Sequence, residues 1–461
     1  EWQSAFDVEK VTKRFFDDYR KVFVELQKIL YNQVRDEAAD DAGKDWVHNY
    51  ALQLLNRLMF IYFIQKKRWL GDNPRFTRHF WEAYRDTKQS ADTFFKDWLS
   101  VLFFEAFNNR YQNRADSLKR FPEDIHQALS RAPFLNGGLF SRNQLDTQYT
   151  FNIPDDFFEL LFEEFEGGPG FFERYNFTIS ETTPLDQEVA VDPEMIGKVY
   201  EKLVNITFEG VSEEDLRGGA GIFYTPRVEI DLMCRLSLVD WLTNHLGDEY
   251  KSALYQAVFA YDPKEKEEAD SRLANENLWG RLDELLRSIT VLDPACGSGS
   301  FLVGMLLVLD DLLARAESQL GRKQTQFERR KEIIANSLYG VDVMPWAVHV
   351  AELRLWLQLV VETEHQWYEL KAAPMLPNLS FKLRPGDSLV QEVGGINFGL
   401  HRAHQDIPSS LKGKLTQLRA EKLKFYRNDP EAKFKSEEAL KLEELNVFRE
   451  ILEYRVQKLE N

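Results

Sequence analysis

Asp293-Pro294-Ala295-Cys296-Gly297-Ser298-Gly299-Ser300-Phe301 is the stretch of this chain whose residue types and spacing could do chemistry. Two glycines one residue apart let a backbone approach a ligand with no Cβ in the way. The β-branched run Ile289-Thr290-Val291-Leu292 leads in, and an apolar helix from Phe301 to about Leu320 leads out. Such a turn lies at the carboxyl end of a parallel strand, where open α/β sheets bind ligands. An ordinary strand-to-helix turn has the same outline, and so has a nicotinamide dinucleotide site. Two features count against the dinucleotide. Leu302 replaces the third glycine of Gly-x-Gly-x-x-Gly. The next acidic residue ending a strand, Asp342, lies 49 residues beyond Asp293, where that fingerprint expects about 20. Asp293 would also repel a pyrophosphate. A carboxylate suits a cation instead, such as a sulfonium amino acid with a free ammonium group, so charge favours S-adenosylmethionine.

The flanking elements must position this turn. Ser337–Val341 reads as a second strand, Pro345 as the first residue of a helix running to about Val361, and Ser380–Leu383 as a third strand. Strands alternating with helices imply a parallel sheet covered on both faces. Upstream, Val11–Leu30 and Trp46–Trp69 place apolar residues three and four apart, as helices with a buried face do. Phe-rich stretches, Val101–Phe107 and Phe157–Phe165, would fill the core between such helices. Asn136-Gly137-Gly138 and Gly167-Gly168-Pro169-Gly170 suit tight turns. Downstream, Pro430 splits a charged segment into Leu411–Tyr426 and Glu438–Leu459, a helical hairpin or arm; a solvated helix pair with no role of its own is an equal alternative. At 461 residues the chain exceeds a single core of about 250–300 residues. The expected division is 1–215 helical, 216–407 sheet-containing and 408–461 arm.

Val291–Gly304 resembles the first motif of DNA adenine-N6 methyltransferases, and the motifs around it follow the order of their circularly arranged class. Gly221-Ile222-Phe223-Tyr224-Thr225-Pro226 with the helix Val228–Leu242 looks like the tenth motif, Leu338–Asp342 like the second, and Arg384-Pro385-Gly386-Asp387-Ser388-Leu389 like the third. Leu54-Leu55-Asn56-Arg57-Leu58 with Gln65-Lys66-Lys67, Pro133–Phe140, and Tyr175–Thr178 through Gly197–Tyr200 look like the large single-chain methylases of restriction-modification and bacteriophage-exclusion systems. The resemblance implies a class I methyltransferase fold, a Rossmann-like α/β parallel sheet, after a large helical domain and before a helical arm. It implies S-adenosylmethionine as cofactor, double-stranded DNA as partner along with other defence proteins, and methylation of adenine N6. Asp293 with Pro294, Ala295, Cys296, Gly297 and Gly299 would hold the amino-acid end of the cofactor. Asp342, flanked by Val343, would accept from the ribose hydroxyls. Asp387 would accept from the adenine amino group, beside Ser388 and Leu389. Tyr224, Thr225 and Pro226 would close over the methionine; as local structure, Thr225 would be a helix N-cap and Pro226 the first helical residue.

The family's catalytic signature, Asn/Asp/Ser-Pro-Pro-aromatic, does not occur in these 461 residues. Asn428-Asp429-Pro430-Glu431 lacks the second proline and the aromatic ring. No catalytic residue is therefore assigned, and the chemistry is expected beyond the third motif, outside this sequence. A catalytically silent cofactor-binding or assembly module is the alternative. Glu431-Ala432-Lys433 has the Glu-x-Lys of a nuclease but no strand context, and His401 and His404 lack a carboxylate or Cys partner, so no metal is expected. Trp346 and Trp356 read as core residues, Glu352 and Arg354 as a solvated pair on the helix surface. The net charge of −17 argues against this chain wrapping nucleic acid by itself. Residues 401–461 carry 13 Lys and Arg against 11 Asp and Glu, which is +2, and leave −19 on residues 1–400. The best candidate for a membrane span, Leu54–Ile64, is too short and contains Asn56 and Arg57. Two cysteines without metal-ligand spacing suggest reduced thiols and a cytoplasmic location.

Overall fold

A computed structural model describes residues 8–38, 40–112, 120–135, 138–177, 190–191, 206–207, 210–211, 225–362, 379, 381–390, 392–393, 396–397, 407–426, 429–434 and 437–460. The first part is helical: α1 (Val8–Val34), α2 (Asp40–Lys66), α3 (Phe76–Asp86), α4 (Glu123–Arg131) and α5 (Asp155–Phe162). α1 buries Phe15, Tyr19, Val22, Phe23, Leu26 and Leu30, the three-and-four spacing read from the sequence. α2 is apolar nearly all round and is buried on most of its surface from Tyr50 to Gln65. The Phe-rich stretches do fill the core; Phe103, Phe107, Phe157, Phe158 and Phe162 are all buried there. Gly167 adopts φ +70 in the tight turn between Glu164–Phe165 and Gly168–Pro169. The other expected turn, Asn136-Gly137-Gly138, falls mostly outside the described residues, at 136–137.

Arg57 is the cation of this core. Its Nη1 and Nη2 donate to the two oxygens of Asp146 at 2.6 and 2.9 Å, and its Nε donates to the Leu139 carbonyl at 2.6 Å. Gln53 and the Asn143 backbone N–H complete the shell around Asp146. A buried charge is tolerated only when paired and hydrogen-bonded in this way. The Asn-Arg of α2 and the Gly138–Phe140 segment are thereby tied together, although 82 residues separate Arg57 from Leu139.

Four helices then pack in succession: α6 (Arg227–Leu246), α7 (Lys251–Val258), α8 (Pro263–Asn275) and α9 (Trp279–Ser288). α8 begins with a capping box, in which Asp262 accepts from Glu265 N–H while the Glu265 side chain returns to the Asp262 backbone. The sheet follows. β1 (Val291–Asp293), α10 (Ser300–Gln319), α11 (Gln326–Asn336), β2 (Leu338–Asp342), α12 (Pro345–Glu362) and β3 (Leu383–Pro385) give a three-stranded parallel sheet in the order β1-β2-β3. The third strand starts at Leu383 rather than Ser380; residues 381–382 form a turn, closed by the Lys382 N–H on the Leu379 carbonyl at 2.8 Å. The chain is thus rich in helix around a small parallel sheet. α12 packs on one side against β2 and β3 and on another against α2, so one continuous apolar cluster runs from Phe15 to Leu383. α13 (Ser409–Tyr426) and α14 (Glu437–Glu460) pair with each other around a separate small core of Phe381, Leu418, Phe425, Tyr426, Leu440 and Val447. No helix among the described residues is long and apolar enough to cross a membrane.

Arg57→Met should lower the free energy of unfolding by about 3–5 kcal/mol, because Asp146 would keep its charge in a buried site. Urea denaturation measures this. Adding Asp146→Leu should restore a large part of the loss; a double variant as unstable as the single one would show that the pair is not what the site depends on.

Candidate functional site

Parallel register sets the geometry of the three sequence-predicted carboxylates. Asp293 is level with Gly340, Asp342 lies two residues further along its strand and level with Pro385, and Asp387 lies two residues beyond that. All three therefore leave the same, carboxyl edge of the sheet, stepping outward from β1 to β3.

Backbone hydrogen bonds lace the three loops together. The Cys296 N–H donates to the Val341 carbonyl at 2.9 Å and the Gly297 N–H to Asp342 Oδ2 at 2.8 Å. Met344 N–H donates to Asp342 Oδ1 at 2.9 Å, and Gly386 N–H to the Asp342 carbonyl at 2.8 Å. Ser388 Oγ donates to the Pro294 carbonyl at 2.6 Å, joining the third loop to the first. Asp387 Oδ1 accepts from the Leu389 N–H at 2.8 Å, an Asx turn that leaves Leu389 86% exposed beside it. Val343 is exposed as well.

The glycines answer two different needs. Gly297 has φ +50, and a Cβ there would meet nothing within 4 Å. Gly299 has φ +81, and its Cβ would come within 2.8 Å of Ala351 Cβ on α12. The first faces open space at the turn; the second lets the turn close down on the helix behind it.

Asp293 is the unusual group. Its Oδ1 accepts from the Ala295 N–H at 3.1 Å, whereas its Oδ2 is buried and has no hydrogen-bond partner among the described residues. Burial pushes its carboxyl above the usual range; the Ala295 hydrogen bond opposes this and the negative charge of Asp342 adds to it. A buried acceptor without a donor costs free energy, so the arrangement suits a cationic donor arriving from outside. These residues fit the ammonium of a methionine-type ligand. Cys296, by contrast, is an unreactive thiol, pushed up to about 12 by burial and by the charges of Asp293 and Asp342. Both cysteines are free and buried.

Tyr224 lies outside the described residues. Thr225 and Pro226 precede α6, but Pro226 itself is the N-cap, with φ −60 and ψ 152, and no side chain caps the helix. Thr225 is thus not the N-cap and Pro226 not the first helical residue: proline's extended ψ ends the loop one position later than the motif suggested. α6 packs against α10 near the turn, with Cys234 Sγ 3.7 Å from the Phe301 carbonyl oxygen. Trp356 is fully buried and Trp346 packs on the core. Glu352 and Arg354 are not a solvated pair, for both are buried. Arg354 Nη1 lies 2.9 Å from the Ser298 carbonyl, 3.1 Å from Ser298 Oγ and 2.9 Å from Ser300 Oγ, directly behind the glycine turn. The available signal was an arginine inside the apolar run Leu353–Leu357. Among the described residues no cluster of His, Cys, Asp and Glu could hold a metal.

Residues 267–383 match the family model described as MmeI, DNA-methyltransferase domain. Over 369 residues, 79% of its length, the chain is 32% identical to a protein of Methanocaldococcus jannaschii provisionally named a type II restriction enzyme and methyltransferase. Over 271 residues, 59% of its length, it is 21% identical to DNA methyltransferase A of Bacillus subtilis. It spans 29% of the first relative and 23% of the second. A similar solved structure is the Type IIL restriction-modification enzyme MmeI in complex with DNA, at a TM-score of 0.43 and 18% identity over 78% of this chain and 37% of that one.

Gly299→Ala should destabilise the protein more than Gly297→Ala. Both variants incur the left-handed backbone cost of about 1–2 kcal/mol. Only Gly299→Ala also forces a methyl group into Ala351, adding about 1–3 kcal/mol. Paired thermal or urea melts check the order, and equal losses would mean that the turn does not rest on α12.

Proposed function

We propose, for a chain whose 267–383 segment belongs with the DNA methyltransferases of restriction-modification systems, that it binds S-adenosylmethionine and serves the methylation of adenine N6 in double-stranded DNA. In this reading residues 216–407 form the cofactor-binding part of a class I, Rossmann-like methyltransferase domain, 1–215 a helical domain and 408–461 an arm. The whole acts in a cytoplasmic restriction-modification or phage-defence system. The observation that carries the reading is Asp293: a buried carboxylate oxygen without a donor among the described residues, at the first of three adjacent parallel strand ends that each present an aspartate.

Asp293 would take the ammonium, Asp342 the ribose hydroxyls and Asp387, with Ser388, the adenine edge. Bound there, the cofactor supplies an electrophilic methyl group on a sulfonium. The residues of this chain bind and orient it. Asp342 has a second duty, because both its oxygens already accept backbone N–H groups. Its removal should therefore cost stability as well as affinity, where a carboxylate merely facing a cleft would spare stability. A cofactor-sensing module without catalysis is the second reading, and the presence or absence of a Pro-Pro-aromatic tetrapeptide in the parent gene discriminates the two.

Calorimetry should show binding of S-adenosylmethionine and S-adenosylhomocysteine, and none of NAD. Asp293→Asn should weaken both ligands at least tenfold. Affinity in the wild type should be flat above the raised Asp293 pKa and fall by up to about tenfold per pH unit below it, as the carboxyl takes up a proton. Stability of the ligand-free chain runs the other way: the folded state holds this proton more tightly than the unfolded one, so stability declines as pH rises through that window. A pH-independent affinity, or unchanged binding by Asp293→Asn, would remove Asp293 from the site.

Methyl transfer is the second test. A tritium-transfer assay on mixed-sequence DNA should give no incorporation with this chain alone, and DNA binding at physiological salt should be weak, given a net charge of −17. A longer chain that contains a Pro-Pro-aromatic motif should show both activities. Incorporation by the 461-residue chain would mean that other residues receive the target amino group.

A further inference from the structure

We propose that Arg354 is a positioning residue for the amino-acid end of the ligand: it holds the Ser298-Gly299-Ser300 turn from behind and sets the polarity of that end of the site. The proposal rests on the reading of the site given above. Arg354 stands on α12, 5% exposed, in a helix whose neighbouring residues Leu353, Leu355, Trp356 and Leu357 are buried and apolar. A guanidinium in such surroundings is costly unless its donors are used. One of its terminal amines is shared among three oxygens of the turn, 54 to 56 residues away in sequence. Ser298 is itself only 2% exposed, so these bonds lie in a dry setting, where they are strong.

Three observations show that the turn is seated on α12 rather than merely near it. The guanidinium bonds Ser298 and Ser300 on either side of Gly299. Gly299 has no room for a Cβ against Ala351, one helical turn before Arg354. α12 in turn packs against α2, so the helical part of the chain supports the turn through this one helix. A serine or glutamine could hold a turn without burying a charge. What a cation adds is positive potential at the point where the turn becomes the N-terminus of α10, whose backbone N–H groups are positive as well. Asp293 supplies the opposite sign across the same turn. An α-amino acid end group is a zwitterion, ammonium at one side and carboxylate at the other. The pair Asp293 and Arg354 therefore orders the site to accept that end in one orientation, without Arg354 touching it.

The test uses the 461-residue chain and two ligands that differ at that end. S-adenosylhomocysteine carries the zwitterion; methylthioadenosine shares the nucleoside and the thioether but lacks the amino acid. Arg354→Met should weaken S-adenosylhomocysteine at least tenfold and change methylthioadenosine by less than twofold. Arg354→Lys, which keeps the charge and one donor, should recover part of the loss. A purely structural role would lower thermal stability and weaken both ligands alike. Ser300→Ala leaves the core intact and covers the case in which Arg354→Met does not fold; it should weaken S-adenosylhomocysteine several-fold, and have no further effect when Arg354 is already replaced. Equal losses for both ligands, or a folded Arg354→Met that binds S-adenosylhomocysteine within twofold of wild type, overturns the proposal. Failure of the wild type to bind either ligand overturns the reading of the site as well.

Discussion

The Asp342 carboxylate joins the three loops of the site, and much of the local structure depends on it. One oxygen accepts from Gly297 in the turn after β1, the other from Met344 ahead of α12, and the carbonyl of the same residue accepts from Gly386 after β3. A single residue at the end of the central strand thereby fixes the positions of loops that come from both its neighbours. The strands themselves are only three to five residues long, too short for ladder hydrogen bonds alone to set loop positions at their ends. Gly340 belongs to the same constraint. A Cβ there would come within 2.8 Å of Leu383 and 3.0 Å of Cys296 Sγ, so the central strand must be bare for its neighbours to close on it.

Bringing carboxylates to one sheet edge has an electrostatic consequence. Burial raises the Asp293 carboxyl, and the like charge of Asp342 adds to this. A perturbed carboxyl of this kind is found more often at binding sites than in cores. The buried charges elsewhere show the contrast. Asp310 receives Arg329 at 2.6 Å and Arg330 at 2.7 Å, and Arg287 is surrounded by Asp283, Glu317 and Glu332. Those networks are internally compensated and tie α9, α10 and α11 together. Asp293 Oδ2 is not compensated within the described residues.

The sequence was legible where local pattern and tertiary environment agree. β1 and β2 lie within two residues of their expected positions. The long helices differ from theirs only at the ends, the Trp46–Trp69 helix beginning at Asp40 and stopping at Lys66, because periodicity marks the buried face and not the fraying ends. β3 was displaced because Phe381, an apolar residue that looks like part of a strand, instead packs with Phe425 and Tyr426 of the arm. The helices between Gly247 and Ser288 drew no expectation, although Asp262-Pro263 followed by Glu265 is a helix start that a search for capping boxes would have found. Asp387 was implied by the resemblance of Arg384–Leu389 to a family motif, and Asp293 and Asp342 could be named from their strand-end positions. Arg354 could not, because the partners that explain it are more than 50 residues distant and a charge on a helix is ordinarily solvated.

Segments before and after the sheet region both pack onto the elements around the three aspartates. On one side α2 braces α12. On the other, Arg384 of β3, three residues before Asp387, donates to both oxygens of Glu444 on α14 at 3.0 and 2.7 Å, and Lys422 of α13 reaches the same carboxylate. α13 carries five basic residues against one acidic, while α14 carries four against seven. The hairpin is therefore two oppositely charged helices facing each other, with Lys414 on Glu450 at 2.6 Å as a further link. Its cations are partly consumed in holding the arm to itself, and its Glu444 carboxylate holds it to β3. A phosphate-binding surface needs basic residues whose charge is not already spent in this way. The arm is thus anchored through an acidic residue to β3, which ends two residues before Asp387, and the remainder of the chain carries −19. Three aspartates at one sheet edge and a net charge of −17 both oppose the approach of a polyanion to these surfaces.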